Sequence, residues 1–133
     1  MNRQLTEKLW NECPLLYRDK NESLINSLIP FGFEHMDGWY NIVYDLSLKL
    51  EALIMAMPDE GRANFRAVQV KEKFGTLRFY MSGETDEMYK LISDAEDASA
   101  KTCEYCGKPG TLHTKGWWST LCDECNVEKP WRK

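Results

Sequence analysis

Nowhere does this sequence of 133 residues approach the run of about 18 apolar residues that a membrane-spanning helix needs. The first ten residues, MNRQLTEKLW, lack the continuous apolar segment of a secretory signal. Both absences lead us to expect a soluble, cytoplasmic protein. Histidine is nearly missing, with only His35 and His113. No phosphate-binding loop or nucleophile motif accompanies them, so catalysis has no recognisable cast and the chain reads as no enzyme. An excess of positive charge is missing too. With a net charge of −4 and a pI of about 5.2, overall attraction to nucleic acid is not expected.

What is present suffices for one packed core. Apolar residues make up 43% of the chain and aromatics 12%, outside the range of disordered proteins. The length allows one modest domain with a small appendage. Four of the five cysteines form two Cys-x-x-Cys pairs, Cys103/Cys106 and Cys122/Cys125, while Cys13 stands apart and reads as a buried small hydrophobe. This is metal-ligand spacing rather than a secreted disulfide framework. Each pair supplies two sulfurs from one tight turn, and Gly107 allows the positive φ that such a turn commonly takes.

Four thiolates close a tetrahedral sphere, so we expect one structural zinc with no open vertex for chemistry. Iron can occupy the same donors. A pair of redox dithiols is the weaker reading, because a redox pair normally occurs once, after a strand. His113 as a substitute ligand is unnecessary.

Apolar spacing organises the rest. Residues 3–12 read as a helix with Leu5 and Leu9 on one side, stopped by Pro14. A second helix is expected from Asn21 as N-cap through Leu24, Ile25, Leu28 and Ile29. The strongest runs over 38–57 with Asp37 as cap and a stripe of Ile42, Val43, Leu46, Leu50, Leu53, Ile54 and Met57. Residues 66–81 alternate as a hairpin around Phe74-Gly75, with Val68, Val70, Leu77, Phe79 and Met81 on one face. A further helix is expected over 84–101, with Met88, Leu91, Ile92, Ala95 and Ala98 inward and six acids between Glu84 and Asp97 on the remainder. From 102 onward the pattern changes to a short hairpin, Thr111–Lys115 and Trp117–Leu121, about Gly116.

Local charge says more than net charge. Residues 1–101 carry 12 basic and 17 acidic side chains, net −5, against 5 and 4 in residues 102–133, net +1. On the hairpin, Lys71, Lys73 and Arg78 share the face opposite the apolar one, with Tyr80 among them. A two-residue turn sets Lys71 across from Arg78, and like charges so placed cost stability that an anionic partner relieves. That partner can be a phosphate backbone, with Tyr80 free to stack on a base, another protein, or the acidic helix. The acids themselves read as a solvated face. Their density also suggests competition for a nucleic-acid site on a partner. Trp117, Trp118 and Trp131 make the tail aromatic. Adjacent tryptophans on a strand point to opposite faces, so one is expected to pack on the helical part and the other to anchor a partner.

The segments Gly32-Phe33-Glu34 with Asp37-Gly38-Trp39, VQVKEKFGTLRFY, and CEYCGKPG followed by GWWSTLCDEC resemble a family of small uncharacterised proteins of bacteriophages, prophages and some bacterial genomes. The likeness spans roughly residues 14–125. Relatives often carry a cysteine near the position of His35, so no role attaches to that histidine. The resemblance implies an intracellular, phage-borne accessory protein that binds host machinery or antiviral defence proteins, and it transfers no catalytic residue.

The expectation is therefore an α+β fold with a domain over 1–101 and a zinc ribbon over 102–133 packed on it. In function it is a non-enzymatic protein that binds a host protein or nucleoprotein, with Lys71, Lys73, Arg78, Tyr80, Trp117 and Trp118 as the candidate surface. The alternative is direct binding of nucleic acid by the basic hairpin and the ribbon.

Overall fold

The computed structural model describes residues 1–128, and Trp131 lies outside the described residues. Helix α1 (Arg3–Glu12) begins where the Asn2 side chain accepts from Leu5 N at 2.9 Å. Its inward side is Thr6, Leu9 and Trp10, broader than the two leucines expected. Short 3-10 turns follow at Arg18–Asn21 and Ile29–Phe31. The helix expected from Asn21 to Ile29 does not form. Its apolar period is helical, but Leu24 and Ile25 are exposed and the Leu28 N–H is taken by Val68 O at 2.9 Å. Long-range pairing overrides a weak local preference there.

Strand β1 (Phe33–Glu34) leads through a 3-10 turn, Asp37–Trp39, into α2 (Tyr40–Met55). Asp37 is not the cap of α2. Its carboxylate accepts from Asn2 N at 2.8 Å and Asn2 Nδ2 at 3.0 Å, tying the turn to the start of α1. Of the expected stripe, Val43, Leu46, Leu50 and Ile54 are buried. So is Glu51, which accepts from the N–H groups of Leu16 at 2.8 Å and Leu15 at 3.2 Å. A buried carboxylate is tolerated because two otherwise orphaned donors need it.

After a short kinked segment, α3 (Asp59–Arg62), whose Glu60 and Gly61 depart from helical dihedrals, come β2 (Ala67–Lys73) and β3 (Thr76–Met81). The sheet order is β1-β2-β3, with β1 parallel and β3 antiparallel to β2. Lys71 does pair with Arg78, but a register shift between Ala67 and Gln69 buries Ala67 in place of the expected Val68. Helix α4 (Asp86–Ser99) is capped by Thr85, whose side chain accepts from Met88 N. It buries Met88, Ile92 and Ala95, then Ser99 in place of Ala98.

Helices α2 and α4 pack against each other, and α4 lies along β3. Val70, Leu77 and Phe79 of the sheet enter the same core. At the outer edge of β3, Leu77 N donates to Ser99 Oγ at 2.9 Å and Phe79 N to Glu96 Oε2 at 3.1 Å. Glu96 is therefore half-buried, and burial raises its pKa. The other five acids of this stretch are exposed, as a solvated face requires.

The C-terminal part holds β4 (Thr111–His113), β5 (Ser119–Leu121) and α5 (Asp123–Glu128). Its strands are shorter than expected, which moves Trp117 and Trp118 into the connecting loop. Among the described residues no helix is long and apolar enough to cross a membrane.

Candidate metal centre and the cleft beside it

The first cysteine turn follows α4 and is closed by Gly107 N donating to Cys103 O at 2.9 Å, with Gly107 at φ +84°. The second lies where β5 enters α5, closed by Asn126 N donating to Cys122 O at 2.9 Å. Pairing of Thr111 with Leu121 and His113 with Ser119 brings both turns together. The four Sγ atoms all lie within 4.8 Å of one another, and those of Cys106 and Cys122 are 3.6 Å apart. Sulfurs bound to one tetrahedral zinc at about 2.3 Å stand about 3.8 Å apart, whereas a disulfide needs about 2.05 Å. The donor set fits one metal ion.

Electrostatics call for that ion. Burial pushes the Cys125 thiol up, and the neighbouring sulfurs add to it. Burial also opposes charge on Cys103, but backbone N–H groups of Cys106, Cys122 and Tyr105 outweigh it and bring that thiol down to about 7. Four thiols so close cannot all ionise without a cation among them. His113 is outside the cluster, its Nε2 lying 3.3 Å from Leu121 O.

The centre is docked on the helix–sheet body by hydrogen bonds of backbone and side-chain groups. Gly38 N donates to Glu104 O at 2.7 Å, Met36 N to Glu104 Oε2 at 3.1 Å, and Trp39 Nε1 to Thr102 O at 2.8 Å. A Cβ at Gly38 would overlap the carbonyl oxygens of Cys103 and Glu104, so the close approach needs glycine. Gly75, at φ +85°, meets the second hairpin, and its carbonyl accepts from Thr120 Oγ1 at 2.7 Å. A Cβ there would sit 2.5 Å from Leu112 Cδ1.

Burial at this junction shifts two groups. It raises Glu104 to about 7 against the opposing Met36 N–H bond. It lowers His35 to about 4. The His35 Nδ1–H donates to Met36 O at 2.8 Å, and its buried Nε2 has no hydrogen-bond partner. Cys13 is buried in the core, which pushes its thiol up to about 12 and suits a small hydrophobe.

A cleft of about 1070 Å³ opens between the β2–β3 hairpin and the β4–β5 loop. Lys71, Lys73, Arg78, Trp117 and Trp118 all line it. Five of the six expected surface residues thus share one depression, and Tyr80 lines a neighbouring groove of about 600 Å³ that also touches Lys71 and Lys73. Neither tryptophan is buried: Trp117 is 74% and Trp118 45% exposed. Contrary to the expectation that one packs inward, both sit in the β4–β5 loop, where strand alternation does not apply. Phe74 also lines the cleft, its ring edge-to-face with Trp118 at 6.2 Å. Sequence marks Phe74 only as a turn residue. The signal for more is a large aromatic where a two-residue turn prefers asparagine or glycine.

Comparison with protein-family models, with curated proteins and with solved structures gave no match, so the reading of this chain rests on its own residues.

Proposed function

We propose that this chain is a non-enzymatic, zinc-stapled binding module, borne by a phage or prophage and acting in the host cytoplasm. It engages a host protein or nucleoprotein, such as a defence or nucleic-acid-processing factor, and modulates it. The phage context comes from the resemblance of the cysteine-pair and hairpin motifs. The observation that carries the binding reading is the convergence of Lys71, Lys73, Arg78, Trp117 and Trp118 on one cleft. Exposed tryptophans beside arginine are the residue types that dominate binding energy at interfaces. Four sulfurs leave the metal no open vertex, which assigns it folding energy rather than chemistry.

A second reading, direct contact with nucleic acid, is favoured by the absence of any ion pair to Lys71, Lys73 or Arg78 among the described residues.

Tagged, zinc-loaded full-length protein is used to capture partners from bacterial lysate, with and without nuclease. The expected result is one specific partner that is lost with Trp117→Ala and with Lys71→Glu. Absence of any partner sensitive to those changes overturns the reading. Elemental analysis finding one zinc per chain in a colourless protein supports zinc, and a coloured, iron-loaded protein removes it.

A further inference from the structure

The outward face of the three-stranded sheet places Lys71 and Lys73 on β2 and Arg78 and Tyr80 on β3. Alternate residues of a strand lie about 6.7 Å apart on one face, comparable with the step between phosphates of an extended single strand. Register sets Lys71 between Arg78 on one side and Glu34 on the other. Glu34 accepts instead from Gln69 Nε2 at 3.3 Å, and Lys73 Nζ lies 5.7 Å from the centre of the Phe74 ring. None of the three cations lies within ion-pair distance of a carboxylate among the described residues, although Arg78 acts on Glu96 through its charge and Glu34 and Glu72 line the same cleft.

Aromatic rings bracket this basic strip. Trp117, Trp118 and Phe74 stand at the turn end, and Tyr80 at the other. The two grooves share Lys71 and Lys73, so together they make one track across the hairpin. Phe74 adds an independent sign, because it is the one non-glycine residue among those described with positive φ, at +53°. A bulky side chain is an outlier there, whereas asparagine is readily accommodated. The ring is 64% exposed, so core packing does not account for it. The two-residue turn itself demands the positive φ, so what calls for a reason is a largely exposed aromatic ring where asparagine or glycine would serve, and that choice points to a functional site.

We infer that this face binds a single strand of nucleic acid, with phosphates on Lys71, Lys73 and Arg78 and bases stacked on the rings at either end. The inference rests on the binding-module reading and names the chemistry of its ligand. A duplex turns its bases into grooves and offers these rings no face to stack on. An acidic polypeptide satisfies the cations but leaves four planar rings unexplained.

The test is fluorescence anisotropy of the metal-loaded full chain with labelled oligothymidylate, oligouridylate, a duplex of equal length and polyglutamate. Single strands are expected to bind tightest, with log K falling by about two per decade of salt for three phosphate contacts. Lys71→Glu and Arg78→Glu should each weaken binding at least tenfold, and Trp117→Ala about tenfold. Phe74→Asn should also weaken it while leaving thermal stability unchanged or higher, which separates a stacking role from a folding one.

Absence of single-strand binding at low salt overturns the inference, and so does equal or tighter binding of polyglutamate. If a nuclease-resistant protein is captured through Trp117 and Lys71 while no strand binds, the inference falls and the binding-module reading stands. If neither occurs, both fall.

Discussion

The helix–sheet body and the cysteine ribbon are held together by different physics. The body buries a continuous cluster running from Leu9 on α1 to Ala95 on α4, whereas the ribbon's own cluster among the described residues is Cys103, Leu121 and Cys125. An apolar core of that size cannot offset the conformational entropy of ordering some 25 residues. A metal ion held by the four sulfurs, together with the dock on the body, would supply the stability that the ribbon's own core does not. The cleft lies between the two parts, so its geometry depends on the weaker one.

The largest expected effect breaks the two apart. Chelation, or Cys106→Ser at an exposed ligand, should withdraw metal-binding energy on the order of 10 kcal/mol from the ribbon alone. Amide exchange should then show β4 and β5 unprotected while α2, α4, β2 and β3 keep their protection. Loss of protection throughout would mean that the body is not independent. Next in size, Gly38→Ala drives a methyl into backbone carbonyls that cannot move cheaply, and should cost about 3 kcal/mol. Denaturant melts would show it, with metal release from the variant at lower chelator concentration.

Acid should act on the body through His35. Its folded pKa of about 4 lies below the 6.5 of a free histidine, so between those values unfolding takes up a proton. Stability is therefore lost as pH falls from 6.5 towards 4, by roughly 3 kcal/mol in total. Glu104, raised to about 7, runs the other way and loses stability as pH rises through the same region. His35→Phe should flatten the acid limb by the histidine share. Because both chains lose the metal alike in acid, their difference isolates the imidazole. The smallest effect is at the second contact. Thr120→Val removes the bond to Gly75 O and should cost about 1 kcal/mol, visible as a lower melting temperature of the metal-loaded protein.

Much of this architecture is legible in the residues because it is local. The stripe Val43, Leu46, Leu50, Ile54, the two Cys-x-x-Cys turns and the Lys71–Arg78 pairing follow from spacing of three and four, of three, and of two about a short turn. What was not legible depends on distant partners. Leu24 to Ile29 has helical spacing, yet Leu28 pairs with Val68. Asp37 heads a helix in sequence but holds Asn2 in space. Gly38 and Gly75 look like ordinary turn glycines until the ribbon backbone is set against them. Trp117 and Trp118 have the local pattern of strand residues, and nothing near them in sequence signals that the β4–β5 pairing stops at Ser119.

The side chains of Ser99 and Glu96, aimed from α4 at the rim of β3, also limit what the molecule can join. A strand at the margin of a sheet invites another chain to continue the ladder. Here the N–H groups of Leu77 and Phe79 are already spoken for, and on the far side the Met1 amino group donates to the carbonyls of Phe33 and His35. Among the described residues both margins thus have backbone groups occupied from within the chain, and a strand adding there would have to displace those bonds.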